Sequence, residues 1–413
     1  MLLIGVWQFL SRGTDSIGCI LAPTRRRSRD GGPVDFDLTD EQQAFRDTVR
    51  QWCQREVNRE YVRECDREHR PPTELFKAIA EQGWLGINIP AAYGGLGAGA
   101  TEAALLLQEL GRVFLDLSFW VFRELCWGGF SIGAYGTEEQ KQRFLPRVAS
   151  GDWSVCFALT EPASGSDAAS IKTTAKADGD DYVINGQKVF TSGFKISDYV
   201  LVATKTSQSE NRHAGFSLFL VDTKSEGLTG TPLETLGHWP LGTALLYLDN
   251  VRVPRENLLG PLDEGWPLLG AGLTYERLSL SAARTGAAQA ALADALEYAK
   301  TRQQFGRPIG KFQAVSHQLA EMQVMVELSE LLVRQYTWKF ENGRNTVRDA
   351  AILKLYTCEA YKSVSDMGLQ VLGGYGYTME YDLQRHFRES RLGVIGAGTS
   401  EIQRNIIAKS LGL

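Results

Sequence analysis

Residues 155–193, VCFALTEPASGSDAASIKTTAKADGDDYVINGQKVFTSG, constrain what this chain can fold into more than any other stretch. They open with period-2 alternation. In a strand, Val155, Phe157 and Leu159 point one way and Ser154, Cys156 and Ala158 the other. The alternation stops at Thr160-Glu161-Pro162 and again at Gly165-Ser166-Asp167, a polar turn whose N–H groups and short hydroxyls can face a ligand. Two strands are then expected to flank Asn185-Gly186, a strong hairpin signal, the second ending in Phe190-Thr191-Ser192-Gly193. Such a β unit offers hydroxyls and a flat aromatic at its strand ends, which suits a planar polar ligand. An ordinary hairpin with polar ends accounts for the pattern equally well.

On either side the texture is helical. Asp40 followed by Gln43 reads as a capped helix start, and Phe45, Val49, Trp52 and Val57 recur near helical spacing. Further helical patterns cover residues 72–83, 101–114 and 138–149. Residues 93–99, YGGLGAG, follow no strand and form a flexible loop, not a dinucleotide fingerprint. From residue 153 to about 259 short alternating runs (199–206, 216–222, 245–248) predict a β domain, a small barrel. Beyond Gly265 the helical period holds over 266–300, 311–341 and 346–371, as in a four-helix bundle. The expected organisation is a leader (1–35), an N-terminal all-α domain (36–152), a middle β-barrel domain (153–262) and a C-terminal four-helix bundle (263–413).

Composition closes off several classes. A chain of 413 residues, 43% hydrophobic, can bury more than one core. A net charge of −5 argues against a nucleic-acid partner. Six cysteines without a CxxC spacing, and five histidines (His69, His213, His238, His317, His386) without ligand spacing, give no metal site. No apolar run is long enough for a membrane span. The first 35 residues stand apart: residues 2–10 are mostly apolar without a basic region before them, and RRRSR follows at 25–29. They read as a disordered leader or an organellar transit segment. The location expected is cytoplasmic, with the mitochondrial matrix as the alternative.

Five segments, TEPASGSD, INGQKVFTSG, RQQFGRPIGKFQAVSHQLAEM, QVLGGYGYTMEY and GTSEIQRNIIA, occur in one order. Together they resemble the acyl-CoA dehydrogenase family across about residues 36–413. The resemblance implies FAD on the β unit, with Phe157, Leu159, Thr160, Gly165, Ser166, Phe190 and Ser192 around the flavin and its tail. Phe190 stands where many members have Trp, and still offers a stacking face. It further implies that Arg302, Phe305, Gln313, Gln370, Gly373, Gly374, Thr399 and Glu401 hold the nucleotide part, some of them across a subunit boundary. A homo-oligomer, tetramer or dimer, follows, and an electron-transfer flavoprotein or similar acceptor is the implied partner. At residues 237–243, GHWPLGT, Trp239 replaces a common Arg, so the loop either reshapes the flavin pocket or packs differently.

The chain departs from the family at the catalytic base. Most members carry Glu directly before GTS of the last motif, where this chain has Ala397 before Gly398-Thr399-Ser400 in IGAGTSE. Leu273-Thr274-Tyr275-Glu276-Arg277-Leu278, however, resembles the segment where isovaleryl-CoA, long-chain acyl-CoA and prolyl carrier-protein dehydrogenases keep their base. Helical spacing puts Leu273, Glu276, Leu280, Ala283 and Ala287 on one apolar stripe with a single carboxylate in it, whose pKa should be raised. Glu276 is therefore the expected base, with Ser166, Tyr275 and Arg277 at the substrate. Ion pairing with Arg284 is its structural alternative. Glu401, after Ser400 and before a capping Gln403, is expected to serve the last helix. The reaction implied is FAD-dependent α,β-dehydrogenation of an acyl-CoA or acyl-carrier-protein thioester. A flavin oxidase or monooxygenase on the same fold, and a silent FAD-binding subunit, are the rivals.

Overall fold

The computed structural model describes residues 36–413, so the leader expectation lies outside the described residues. The chain opens with α1 (Asp40–Glu56), α2 (Arg59–Glu68), α3 (Thr73–Glu81), α4 (Ala100–Val113) and α5 (Leu115–Arg123). A π-helical stretch, Glu124–Phe130, then leads into α6 (Ser131–Tyr135), and α7 (Glu138–Ala149) follows. The cap of α1 is one residue earlier than expected. Thr39 Oγ1 accepts from the Gln42 N–H at 3.2 Å and Gln42 Oε1 accepts from the Thr39 N–H at 3.1 Å, whereas Gln43 turns to Asp47. The glycine loop is a packed strap: the N–H groups of Leu96, Gly97 and Ala98 donate to the carbonyls of Gly86, Ile89 and Ile87.

The middle region is one sheet of eight strands: β1 (Val155–Ala158), β2 (Thr174–Asp178), β3 (Asp181–Ser192), β4 (Tyr199–Lys205), β5 (Phe216–Asp222), β6 (Leu228–Leu233), β7 (Thr243–Pro254) and β8 (Leu258–Leu259). Their order is β6-β7-β3-β2-β4-β5-β8, with β1 parallel to β4. Two expectations are corrected here. The hairpin turn is Gly179-Asp180, between the paired Asp178 and Asp181, with glycine at φ +63° in the first turn position. Asn185-Gly186 instead lies inside β3 at a register shift against β7. There the Asn185 amide exchanges hydrogen bonds with Asn250, and a Cβ on Gly186 would fall 2.4 Å from Thr173 Oγ1. The glycine is needed for close approach, and the pair marks a bulge.

The barrel, moreover, does not close. β2 pairs with β3 along its length but with β4 at Thr174–Lys205 alone, so the sheet splays into two arms. Their facing sides bury Ile184, Val200, Val202, Phe219, Leu246 and Val251 in a core of their own. The opposite side of β1, β4 and β5, carrying Val155, Leu201 and Leu218, joins the helical core. The period-2 pattern of β1 thus divides two cores, and Phe157 faces the helices.

The C-terminal helices are α8 (Gly265–Thr301), α9 (Gln313–Glu341), α10 (Val347–Leu372), α11 (Leu383–Gly393) and α12 (Ser400–Ser410). Helix α8 is the spine, packed against α4, α9 and α10. The α4–α8 crossing is backbone on backbone: a Cβ on Gly286 would sit 1.9 Å from the Gln108 carbonyl oxygen, and one on Gly111 would sit 2.1 Å from that of Ala283. The altered 237–243 loop packs against the helical regions. His238 Nδ1 lies 2.8 Å from Asp116 Oδ1, and the Trp239 ring sits between His69 (4.7 Å) and the Arg388 guanidinium (3.9 Å).

Two glycines of α8 should respond oppositely to alanine. Gly270→Ala, exposed and with nothing within 4 Å of the new methyl, should gain up to ~1 kcal/mol from helix propensity. Gly286→Ala must push α4 away and should lose ~1–3 kcal/mol. Urea unfolding followed by circular dichroism measures both.

Candidate active site

The site is built where α8 meets β1 through Trp127, whose ring packs on Gly272 of α8 and stacks on Phe157 of β1. Glu276 stands on the stripe expected for it, with Leu280 5% exposed and Ala283 and Ala287 fully buried. It is half-buried and, among the described residues, has no hydrogen bond or ion pair. Burial raises its pKa to about 7, against the opposing charges of Arg277, Arg284 and Lys354. The ion pair with Arg284 does not form. That guanidinium lies over the Phe119 ring at 5.1 Å and donates to Cys358 Sγ at 3.7 Å. Arg277 is 7% exposed, its Nε buried without a partner, beside Glu276.

Lys354, whose charge acts on Glu276, also holds the loop at Ala397. Ala397 has φ +54°, and its carbonyl accepts from Gln403 Nε2 at 3.2 Å. Fully buried Lys354, on α10, donates to the Gly398 carbonyl at 2.6 Å. Burial lowers the Lys354 pKa to about 8, while Cys358 and the Glu276 charge act to raise it. The cap of α12 is Thr399, whose Oγ1 accepts from the Ile402 N–H, and not Ser400, which bonds Glu359. Gln403 therefore points inward, and Glu401 is exposed beside Arg404.

The strand ends are held by buried charges. Arg123, 4% exposed, donates to the Ser192 carbonyl at 3.0 Å and to Ser154 Oγ at 3.2 Å. Glu124 accepts from Ser154 Oγ at 2.5 Å and from the Val155 N–H at 3.0 Å, and burial raises its pKa to about 7. These two residues tie the start of β1 to the end of β3. Fully buried Lys188 ties the end of β1 to β3, donating to the Leu159 carbonyl at 2.9 Å and to Glu161 Oε1 at 2.8 Å. Glu161 also accepts from the Lys172 and Thr173 N–H groups.

Seven expected cofactor residues come together on this frame. Phe157, Leu159, Thr160 and Ser192 are half-buried, Gly165 and Ser166 are exposed, and Phe190 is 65% exposed at φ +60°. Ser192 Oγ and Thr243 Oγ1 share a hydrogen bond of 2.9 Å, and a Cβ on Gly165 would meet nothing within 4 Å. A flat exposed ring, hydroxyls and an open glycine turn fit a planar ring system with a phosphate tail. Tyr275 is not at the surface of this site. It is 3% exposed, stacked on Phe130 at 4.5 Å, with its hydroxyl accepting from Asn88 Nδ2.

Arg302, Phe305, Gln313, Gln370, Gly373 and Gly374 form a second, exposed group. Its two chain segments meet where the Arg302 guanidinium lies 5.5 Å from the Tyr375 ring, and Phe305 is 92% exposed. Thirty residues of α8 separate Gly272, beside the first group, from Arg302, about 45 Å at 1.5 Å per residue. One chain does not bring the two groups together.

Three family models cover nearly all of the described chain: acyl-CoA dehydrogenase N-terminal domain over 39–152, middle domain over 156–251 and C-terminal domain over 263–412. The chain belongs to the acyl-CoA dehydrogenase family. It is similar to the probable acyl-CoA dehydrogenase YngJ of Bacillus subtilis, 36% identical over 92% of this chain and 100% of the relative. Among solved structures, butyryl-CoA dehydrogenase from Megasphaera elsdenii superposes with TM-score 0.87 at 31% identity, over 92% of this chain and 100% of that one. The prolyl acyl carrier protein oxidase AnaB gives TM-score 0.87 at 31% identity, over 91% and 100%. As a family member the chain is a flavoprotein oxidoreductase acting on CH–CH groups, with FAD as its cofactor.

Within this dehydrogenase, sequence reasoning missed Arg123, Glu124, Lys188 and Lys354. The signals were present: Arg123-Glu124 interrupts the apolar run FWVFRELCWGGF, and Lys188 shares the inward phase of β3 with Ile184. Lys188→Met should leave Glu161 buried without its cation and cost ~3–5 kcal/mol. The release of β1 from β3 should appear as FAD lost on gel filtration, read from the ratio of flavin to protein absorbance.

Proposed function

We propose that this chain removes hydrogen across the Cα–Cβ bond of an acyl thioester, with Glu276 taking the α-proton. The observation that carries this is a carboxylate without partners, half-buried on α8 beside the β1 frame, with its pKa near 7. Bound FAD would supply the acceptor for the hydride that leaves the β-carbon. A base that titrates near neutrality holds the proton neither too loosely nor too tightly for reversible transfer. Arg277, Arg284 and Lys354 keep enough positive charge around Glu276 for its ionised form to survive burial. The apolar stripe and the rings around it exclude water from the proton transfer.

The tether is CoA or a carrier protein, and the relatives include both kinds in their names. The acceptor beyond the flavin is a separate electron-transfer flavoprotein. Some 45 Å of helix between the two cofactor groups supports a homo-oligomer in which a neighbouring chain's far group completes each site. A tetramer in the cytoplasm is the form proposed. Among the described residues, no helix is long and apolar enough to cross a membrane.

Glu276→Gln should abolish anaerobic bleaching of the flavin by acyl thioesters, a loss of at least ~10²–10⁴-fold, without releasing FAD. Flavin that never bleaches in the native protein, with any acyl-CoA or acyl-carrier thioester, would sink the proposal in favour of a silent subunit. The rate of bleaching should rise with pH through about 7 and level off above it.

The same shift sets a stability dependence. Folded Glu276 binds its proton more tightly than the unfolded chain does, so its contribution falls as pH rises from the ordinary carboxylate range to about 7. Glu276→Gln should therefore stabilise the fold by ~1–3 kcal/mol at pH 8 and by little at pH 5. Thermal melts at the two pH values check the sign.

A further inference from the structure

We propose that Trp127 ends the acyl cavity and restricts this enzyme to short acyl thioesters, an inference that rests on the dehydrogenase reading above. The reacting carbons must lie between Glu276 on α8 and the flavin-facing strand β1. Gly272 is four residues before Glu276 and so lies one turn along the same face of α8. The Trp127 indole sits directly on it: a Cβ on Gly272 would fall 2.7 Å from Cζ3 and 3.2 Å from Cη2. The Trp127 and Phe157 rings are stacked, with centroids 3.8 Å apart and planes 13° from parallel. One side chain, 2% exposed, therefore fills the gap between α8 and β1 a single turn from the base.

There is no way round it. Behind the indole, Phe130 is stacked on Tyr275, and the Phe340 ring lies 5.8 Å from that of Tyr275. In the other direction along α8, Leu280 and Ala283 are buried, and Ala283 meets Gly111 of α4 backbone to backbone. The π-helical turn places the indole: Gly128 and Gly129 bring this stretch against Val148 and Asn88, where a Cβ on either would stand 2.8 Å from the neighbouring atom. A ring packed on Gly272 at one side and Phe157 at the other cannot swing aside without opening a void. A long acyl tail meets the indole, and a short one stops before it.

The test uses the FAD-loaded protein and S-alkyl-CoA thioethers of four and twelve carbons, which lack the carbonyl that makes an α-proton acidic. Calorimetric titration should show the butyl thioether bound at least ~10-fold tighter than the dodecyl one, a modest demand on an apolar pocket. Trp127→Ala should tighten dodecyl binding by at least ~10-fold, with Trp127→Leu in between. The Leu variant, which keeps an apolar filling, carries the comparison if the Ala variant sheds FAD. Equal binding of the two thioethers by the native protein overturns the proposal. So does an unchanged preference in a variant that retains its flavin absorbance. A protein that sorts the thioethers by length yet bleaches with no thioester keeps the wall and loses the dehydrogenation. One that bleaches with thioesters yet takes both thioethers alike loses the wall alone.

Discussion

Arg123 and Glu124 sit at the end of α5 with almost no access to water, and the hydrogen bonds of their side chains run to the start of β1 and the end of β3. Removing two charges from water is costly, and it is offset only where their hydrogen-bonding atoms find partners of good geometry. Ser154 Oγ, the Val155 N–H and the Ser192 carbonyl are those partners, so the start of β1 and the end of β3 are held against the first helical region. Gly193 has no Cβ to hinder this: one built there would overlap the Arg123 guanidinium at 1.5 Å. The Lys188–Glu161 pair repeats the arrangement at the far end of β1. With both ends of β1 held, its helix-facing side has one position relative to α8.

That position gives Glu276 its character. A carboxylate on an otherwise apolar stripe is disfavoured as an anion, and three cations nearby reduce the penalty without pairing with it. An ion pair would have stabilised the charge and drawn the pKa back down. The vacated place at Ala397 is not left as an open void. Lys354 and Gln403 bind the carbonyls of residues 397 and 398, so the loop keeps its left-handed turn without an acidic side chain. The chain thus has an alanine on the loop after α11 and an unpaired carboxylate on the longest helix.

Much of this was legible in the chain. The alternation of Val155 to Ala158 reports two cores on two sides of one strand. The stripe through Glu276 was visible as helical spacing, and the residues around the β1 and β3 ends were visible as motifs. Local signals failed where two meanings compete. Asn185-Gly186 reads as a turn, but its glycine serves a close approach to Thr173 inside β3, while the less conspicuous Gly179-Asp180 makes the hairpin. Tyr275 adjoins Glu276 in sequence, yet the helix turns its ring onto Phe130 and its hydroxyl onto Asn88.

The order of residues along the chain sets the succession of helix, strand and helix, the strand periodicity, and the presence of one carboxylate on an apolar helical face. These are properties of neighbours along the chain, set by side-chain period and backbone preference. Long-range packing sets that the sheet splays instead of closing, that Arg284 turns away from Glu276, and that Trp127 fills the space beside Gly272. Each of these depends on which distant groups share a buried volume, where desolvation and close packing act between residues far apart in the chain.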